Sequence, residues 1–418
     1  MTRGRGGNRR LARALLTVGL AALLGGCMDA CAPRRFVEAP RPPATTTTTQ
    51  PPPPVALPEL PPAPHFDAPP MVRVWLASVS AEPAVVCGGP CRVEPRGGQP
   101  IPLSALPWGR VRLVKGGFRI GAQEYRADAV DLVPTSAASV KVDGTAYPGR
   151  VRLIRGSDAV AVVNLVDAES YLLGVLGSEM PPQWPAEALK AQAVAARTYA
   201  LYFQQQRAAT EWDVTSTTDD QMYAGGNPPL SVRRAVEATR GEVLLHRNAL
   251  LPAFFHSTCG GETESPGLAM GKWQFDFLVG VPCPYCAASP HAAWKDSLGA
   301  ADVAARLQAA GVEITPPVRS LQAVPPGPLT ARQVRIVHAG GETLLTAVDF
   351  RQAVGNLKVK SGKFDCRAEG NGFALTGRGL GHGSGMCQYG ARGMAQAGKT
   401  HAEILMHYYK NAAIEKAY

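Results

Sequence analysis

Fourteen prolines stand between residues 32 and 70, with five consecutive threonines (Thr45 to Thr49) and the block Pro51 to Pro54 among them. Proline lacks a donor N–H and fixes φ, so such a segment can join neither a helix interior nor a central strand. It buries little apolar area and favours an extended polyproline conformation at roughly 3.1 Å per residue, on the order of 100 Å over about forty residues. The folded part of the 418-residue chain is therefore expected after it, beginning near Met71. Two uses fit the segment, a stalk or a Pro-rich ligand for a partner, and no residue specifies such a partner.

What precedes the prolines favours the stalk. Arg3, Arg5, Arg9, Arg10 and Arg13 come before an apolar run ALLTVGLAALL and then Leu24-Gly25-Gly26-Cys27. A basic start, a short apolar core and small residues make a secretory signal, too short to span a bilayer as a helix. The last four residues resemble the bacterial lipobox, which implies that Cys27 becomes the lipidated first residue of an exported, membrane-held protein. A plain cleaved signal peptide with an incidental cysteine is the alternative. The formal charge of +10 owes five units to those arginines, leaving about +5 elsewhere. That mild bias suits an anionic polymer such as a cell wall. Without a basic patch interleaved with aromatics it points to no nucleic-acid partner.

From Met71 onward come short apolar runs, VRVWLASVS, VRLVKGG, YRADAVDLV, VKVDG, VRLIRG and AVAVVNLV, broken by turn residues as in a β-rich region. A long Ala-rich helix is expected from about 186 to 206, with Pro185 in its first turn, where a missing N–H costs nothing. Shorter helices are expected at 230–239, 300–310 and 400–410, and strands at RQVRIVHA, TLLTAVDF and FALTGRG. Without regular βαβ alternation the class is α+β: a β-rich N-terminal part, the long helix, then mixed small sheets and helices. The expected domains are a signal peptide (1–26), a Pro/Thr-rich linker (27–70) and one folded domain (71–418).

Three clusters could carry chemistry. In SEMPPQWPAEALKAQAVAARTYAL, Glu179 precedes a Pro-rich turn, and Lys190 and Arg197 follow on the helix. Seven residues is nearly two turns, so those cations are expected on one face about 10 Å apart, either as solvated side chains or lining a groove. In FFHSTCGGETES and GVPCPYCAASPHAAW, Cys259, Cys283, Cys286 and His291 make a tetrahedral zinc set, with His256 nearby. A disulfide within an exported protein is the competing reading and would leave one thiol over. In GRGLGHGSGMCQYGARGMAQAG, His382, Gln388 and Tyr389 stand among eight glycines. No Gly-Lys-Ser/Thr follows and no βαβ context surrounds it, so this is no nucleotide loop. A polar ligand site and a tight structural turn both fit. No organic cofactor is expected.

These clusters, in this order and led by VVNLVDAESYLLGV, resemble the SpoIID/LytB family of bacterial cell-wall proteins over roughly Val72 to Tyr409. The resemblance implies an exported lytic transglycosylase that cleaves peptidoglycan glycan strands; some members are instead enhancers of cell-wall amidases, which makes an amidase a possible partner. It implies Glu179 as the catalytic acid/base. It also implies Lys190 and Arg197 in the substrate groove, with His256, Ser257, Thr258, His382 and Gln388 as further substrate-binding residues. Leu380 and Cys387 depart from the family pattern, where an aromatic and a serine are common.

One carboxylate suffices for that chemistry. Glycosidases that use water need two carboxyl groups, whereas a transglycosylase uses the muramic sugar's own 6-hydroxyl. A single Glu protonates the leaving oxygen and later takes the hydroxyl's proton. It must then stay protonated near neutral pH, which requires burial, with Met180 and Trp184 as local candidates. Lys190 and Arg197 are expected to touch substrate rather than Glu179, since cations would favour its ionised form. Among the other cysteines, Cys87 with Cys91 and Cys366 with Cys387 are candidate disulfides, and Cys31 is left over.

Overall fold

The computed structural model describes residues 60–418 except 77–79, 137–138, 272–273 and 327–331. The signal segment, Cys27, Cys31 and the Pro/Thr-rich run up to residue 59 lie outside the described residues. The end of the Pro-rich segment is packed: Ala63 N donates to Asn248 O at 2.8 Å and Phe66 N to Ala417 O at 3.0 Å, while Leu60 and Phe66 rest on the core.

The alternating runs after Met71 build two sheets. In the seven-stranded one, Val160–Asp167 pairs antiparallel with both Met71–Trp75 and Arg150–Arg155. Alternation does its usual work here: Val72 and Val74 are fully buried, while Arg73 between them reaches Asp213. The six-stranded sheet runs in the order Thr145–Tyr147, Val140–Val142, Ala84–Cys87, Leu106–Val114, Gly117–Ile120, Gln123–Tyr125. Val85, Val111, Phe118, Leu132, Leu153 and Val162 belong to the core shared by these sheets.

The strand Val160–Asp167 feeds directly into helix α1 (Ala168–Glu179), whose N-cap Asp167 accepts from Ser170 N. Helix α2 spans Ala186–Gln206, the bounds read from its sequence, with Pro185 as N-cap. Every residue from Ala191 to Phe203 is buried. The alanines let backbones approach closely, so α2 is a central helix walled by its neighbours and has no solvent face along that stretch. Helix α3 (Leu230–Ala238) and the short α4 (Pro266–Met270) follow.

Residues 294–377 form a second lobe with its own core, including Trp294, Leu307, Ile336, Phe350 and Phe373. It holds α5 (Ala300–Ala309), α6 (Ala347–Val354) and two three-stranded sheets. The run TLLTAVDF, expected as one strand, is split: strand Gly341–Thr346 ends where Thr346 caps α6 by accepting from Asp349 N. A threonine hydroxyl followed by an acid in the first turn is a helix start, and it overrides the apolar alternation around it. The chain then returns through the glycine-rich loop to α7 (Gln388–Gln396) and α8 (His401–Tyr408), both against α2. This is the α+β fold the sequence implies.

Candidate active site

Glu179 is the last residue of α1, where the helix dipole disfavours negative charge. Its carboxyl is half-buried and accepts two hydrogen bonds from neutral donors: Met222 N to Oε1 at 2.7 Å and Gln388 Nε2 to Oε2 at 3.2 Å. Burial raises its pKa above the ordinary carboxylate range; the two donors pull the other way and do not cancel it. Among the described residues no ionised neighbour is a cause of the shift.

The second donor comes from afar in sequence because a two-stranded parallel pairing, Phe255–His256 with Met386–Cys387, brings the start of α7 beside α1 and α2. Glycines make that approach possible. At Gly385, φ is +74° and a Cβ would stand 1.8 Å from Phe254 O. The first donor sits on a braced loop. Tyr171 on α1 donates to Gln221 Oε1 at 2.7 Å, and Tyr223 donates to Asn164 Oδ1 at 2.7 Å. A backbone N–H leaves no residue signature, so Met222 was invisible in the sequence, as were Tyr171, Gln221 and Tyr223. Beside the site, Trp184 from the turn after Glu179 packs edge-on against Tyr389 at 4.9 Å between centroids, with the Arg392 guanidinium over both rings. Met180 is buried.

Lys190 and Arg197 part company. Lys190 is half-exposed and paired with Glu187 at 2.6 Å. Arg197 corrects the expectation of a groove residue: it is 1 % exposed and bound to both oxygens of Glu169 at 2.8 and 2.9 Å, with a third bond to Glu242 O. A guanidinium so enclosed cannot reach a polymer outside; it neutralises the carboxylate at the other end of α1.

Two more of the expected substrate contacts are turned inward. His256 is buried, with Nδ1 3.0 Å from Ser384 O, and burial holds it well below its ordinary pKa. Thr258 is buried, its hydroxyl 2.7 Å from that of Ser289. Both fix the glycine loop from beneath. His382 donates from Nε2 to Phe255 O at 2.8 Å and accepts from Ser384 N at Nδ1; burial lowers its pKa to about 4, so it is neutral. Ser257 is half-buried and its carbonyl accepts from Tyr389 N at 3.0 Å. Of that set, Gln388 is the residue joined directly to Glu179.

The cysteines form a different group from the one expected. Cys259, Cys283, Cys286 and Cys387 are all buried with their sulfurs within 4.8 Å of one another. His291 is not a member; it lies half-buried, its N–H donating to Ser289 Oγ. The strand pairing that delivers Gln388 also delivers Cys387, which removes it from any disulfide with Cys366, a half-buried thiol in the second lobe. Cys259 and Cys286 sulfurs are 3.6 Å apart, close to the edge of a tetrahedron with about 2.3 Å metal–sulfur bonds. Cys387 Sγ accepts from Cys259 N and Gly390 N, each at 3.3 Å, and Tyr408 OH lies 3.1 Å from Cys283 Sγ, as outer partners of thiolate ligands do. The group could hold a metal ion. Lys363 ties the second lobe to it by donating to Cys259 O at 3.2 Å and Glu262 O at 2.6 Å. Cys87 and Cys91 are neighbouring buried thiols; burial and Cys87 push the Cys91 pKa up to about 11.

Comparison with known proteins includes the same region. A family profile described as stage II sporulation protein matches residues 156–246, which contain Glu179, α2 and Met222. An uncharacterized protein of Brachyspira hyodysenteriae is 34% identical over 346 residues, covering 82% of this chain and 92% of that protein. Stage II sporulation protein D of Bacillus subtilis is 32% identical over 61% of this chain and 76% of its own length. A Bacillus subtilis protein named amidase enhancer is 28% identical over 58% of this chain and 40% of its own length.

Proposed function

This chain belongs to the SpoIID/LytB family, and on that premise we propose that it is a peptidoglycan lytic transglycosylase with Glu179 as its single acid/base. The observation that carries the proposal is the setting of that carboxyl: burial raises its pKa, and its hydrogen-bond donors among the described residues, Met222 N–H and the Gln388 amide, are neutral. A protonated Glu179 gives its proton to the glycosidic oxygen between MurNAc and GlcNAc as the bond breaks. The carboxylate then takes the proton of the muramic 6-hydroxyl as that oxygen closes on C1, leaving a 1,6-anhydro end. Met222 N–H and the Gln388 amide hold the carboxyl in one orientation through both steps. The decisive measurement is mass spectrometry of purified glycan strands digested by the wild type and by Glu179→Gln. Anhydro-muramyl ends are expected from the wild type alone; equal amounts from both would remove Glu179 from the chemistry.

The relative named amidase enhancer supports a second reading, a non-catalytic wall-binding partner of an amidase. A wild type that forms no anhydro ends yet accelerates an amidase on the same walls would establish it. The N-terminal basic and apolar segment ending at Cys27 supports export with a lipid anchor on a Pro-rich stalk. No helix among the described residues is long and apolar enough to cross a membrane.

Cys259, Cys283, Cys286 and Cys387 fit zinc by donor type, spacing and outer hydrogen bonds. Four thiolates would saturate the ion, so its contribution is structural: it would cross-link the segments around the glycine loop. One equivalent of metal per chain is expected. Substituting Co(II) should give a tetrathiolate absorption band that Cys387→Ser alters and His291→Ala leaves in place; the reverse result would restore His291 as the ligand.

A further inference from the structure

Between α2 and α3 runs a groove of about 290 Å3, lined by Trp184, Ala186, Leu189 and Lys190 on one side and by Ser231, Arg234, Ala235 and Ala238 on the other. Residues 231, 234, 235 and 238 recur at helical spacing, so one face of α3 points into it. It shares Trp184 with the surroundings of the active site, since that indole packs against Tyr389, the residue after the Gln388 that bonds Glu179. Trp184 closes a turn that starts at Pro181, two residues after Glu179, and the Ser231 hydroxyl clamps that turn by donating to Pro182 O at 2.8 Å.

The lining has a definite chemistry. Its apolar lining is alanine, leucine and indole surface, and its charged groups are both cations. Lys190 is half-satisfied by Glu187, which is itself held by His401. Arg234 is exposed and, among the described residues, makes no ion pair or hydrogen bond. An unpaired guanidinium over small apolar side chains matches a carboxylate carried on a short alkyl group, because a guanidinium fork grips both carboxylate oxygens.

We propose that this groove is a carboxylate subsite for the acidic substituent of a muramic residue in the strand lying across Glu179. Arg234, aided by Lys190, pairs with the carboxylate, and Trp184, Leu189 and Ala235 cover the alkyl part. The placement of the strand rests on the acid/base reading of Glu179. The charge belongs either to the lactyl group of a peptide-free sugar or to a peptide attached to it, and both are sugar-borne carboxylates. The groove thus selects a muramic polymer over a neutral one of the same backbone.

The test reads binding and so does not depend on cleavage. Calorimetry on the intact Glu179→Gln protein compares peptide-free muramyl oligosaccharide, the same oligosaccharide bearing peptides, and a neutral chitooligosaccharide of equal length. Arg234→Ala is expected to weaken one or both carboxylated ligands about fivefold, Arg234→Lys to restore part of the loss, and the neutral ligand to stay within twofold. Which carboxylated ligand responds identifies the source of the charge. No loss, or equal loss on the neutral sugar, overturns the subsite. Failure of wild-type protein to form anhydro ends would sink the transglycosylase reading and leave this binding result standing.

Discussion

In its first turn, α1 presents Glu169 to Arg197, with two further donors at the same carboxylate, Gly241 N and Tyr418 OH. At its last residue it presents Glu179 to a backbone N–H and an amide, with no cation paired to it among the described residues. The two carboxylates lie on one helix, ten residues apart. The first is matched by a permanent charge, so it fastens α1 to α2. Among the described residues the second has no charge partner, and burial shifts it toward its protonated form. What separates a structural from a chemical carboxylate here is the partner, not the depth of burial alone.

The largest expected effect breaks the chemical end. Glu179→Gln keeps the shape and one acceptor oxygen for Met222 N–H, with the Gln388 amide free to turn and accept from the new NH2 group, but it has no proton to transfer, so turnover should fall about 10³-fold. Stability should move the opposite way. Because burial raises the folded-state pKa of Glu179, its contribution is fully present below the ordinary carboxylate pKa and is lost as pH rises through the raised value. At neutral pH the native carboxyl is therefore a burden, and the glutamine variant should melt at an equal or higher temperature, the difference shrinking in acid. A lower melting temperature at pH 7 would make Glu179 a structural residue like Glu169.

This contrast shows what the residues alone could and could not disclose. α2 and the β-rich start were legible because local patterns carry them, a Pro turn before an Ala-rich helix and alternation in short runs, whereas the role proposed for Glu179 rests on the family resemblance and not on those patterns. The partner of Arg197 was not legible, because Glu169 lies 28 residues away on another helix. An arginine on an apolar helix looks the same whether a groove or a buried carboxylate awaits it. Cys387 was misassigned for a related reason. Its neighbours in space are fixed by the parallel pairing with 255–256, some 130 residues earlier, while sequence proximity favoured Cys366 and His291. Local structure was readable; long-range delivery was not.

Next in size is the structural end. Arg197→Ala leaves Glu169 buried without its cation, which costs about 3–5 kcal/mol of stability, measurable by urea denaturation. Arg197→Lys should rescue little, since one ammonium cannot replace the two parallel bonds. The double variant Glu169→Gln with Arg197→Met removes both charges and should recover much of the loss. If the single variant instead folds with normal stability and loses affinity for glycan, Arg197 serves the polymer after all and the two ends of α1 are not distinct.

The smallest and most discriminating change is Gln388→Ala. The amide favours the ionised form of Glu179 and orients it, so its removal acts on acidity and position together. Without that donor the carboxyl should hold its proton to higher pH, so the alkaline limb of the pH–rate profile should move upward. The maximal rate should still fall roughly tenfold, because a carboxyl anchored by Met222 N alone samples more orientations. Those opposite movements cannot come from a general loosening of the fold, which would lower the rate and admit water, moving the limb downward. An upward limb with a lower plateau therefore identifies Gln388 as the positioning residue that keeps a neutral contact where Glu169 has an ionic one. A limb that stays in place would mean that burial alone sets the acidity of Glu179.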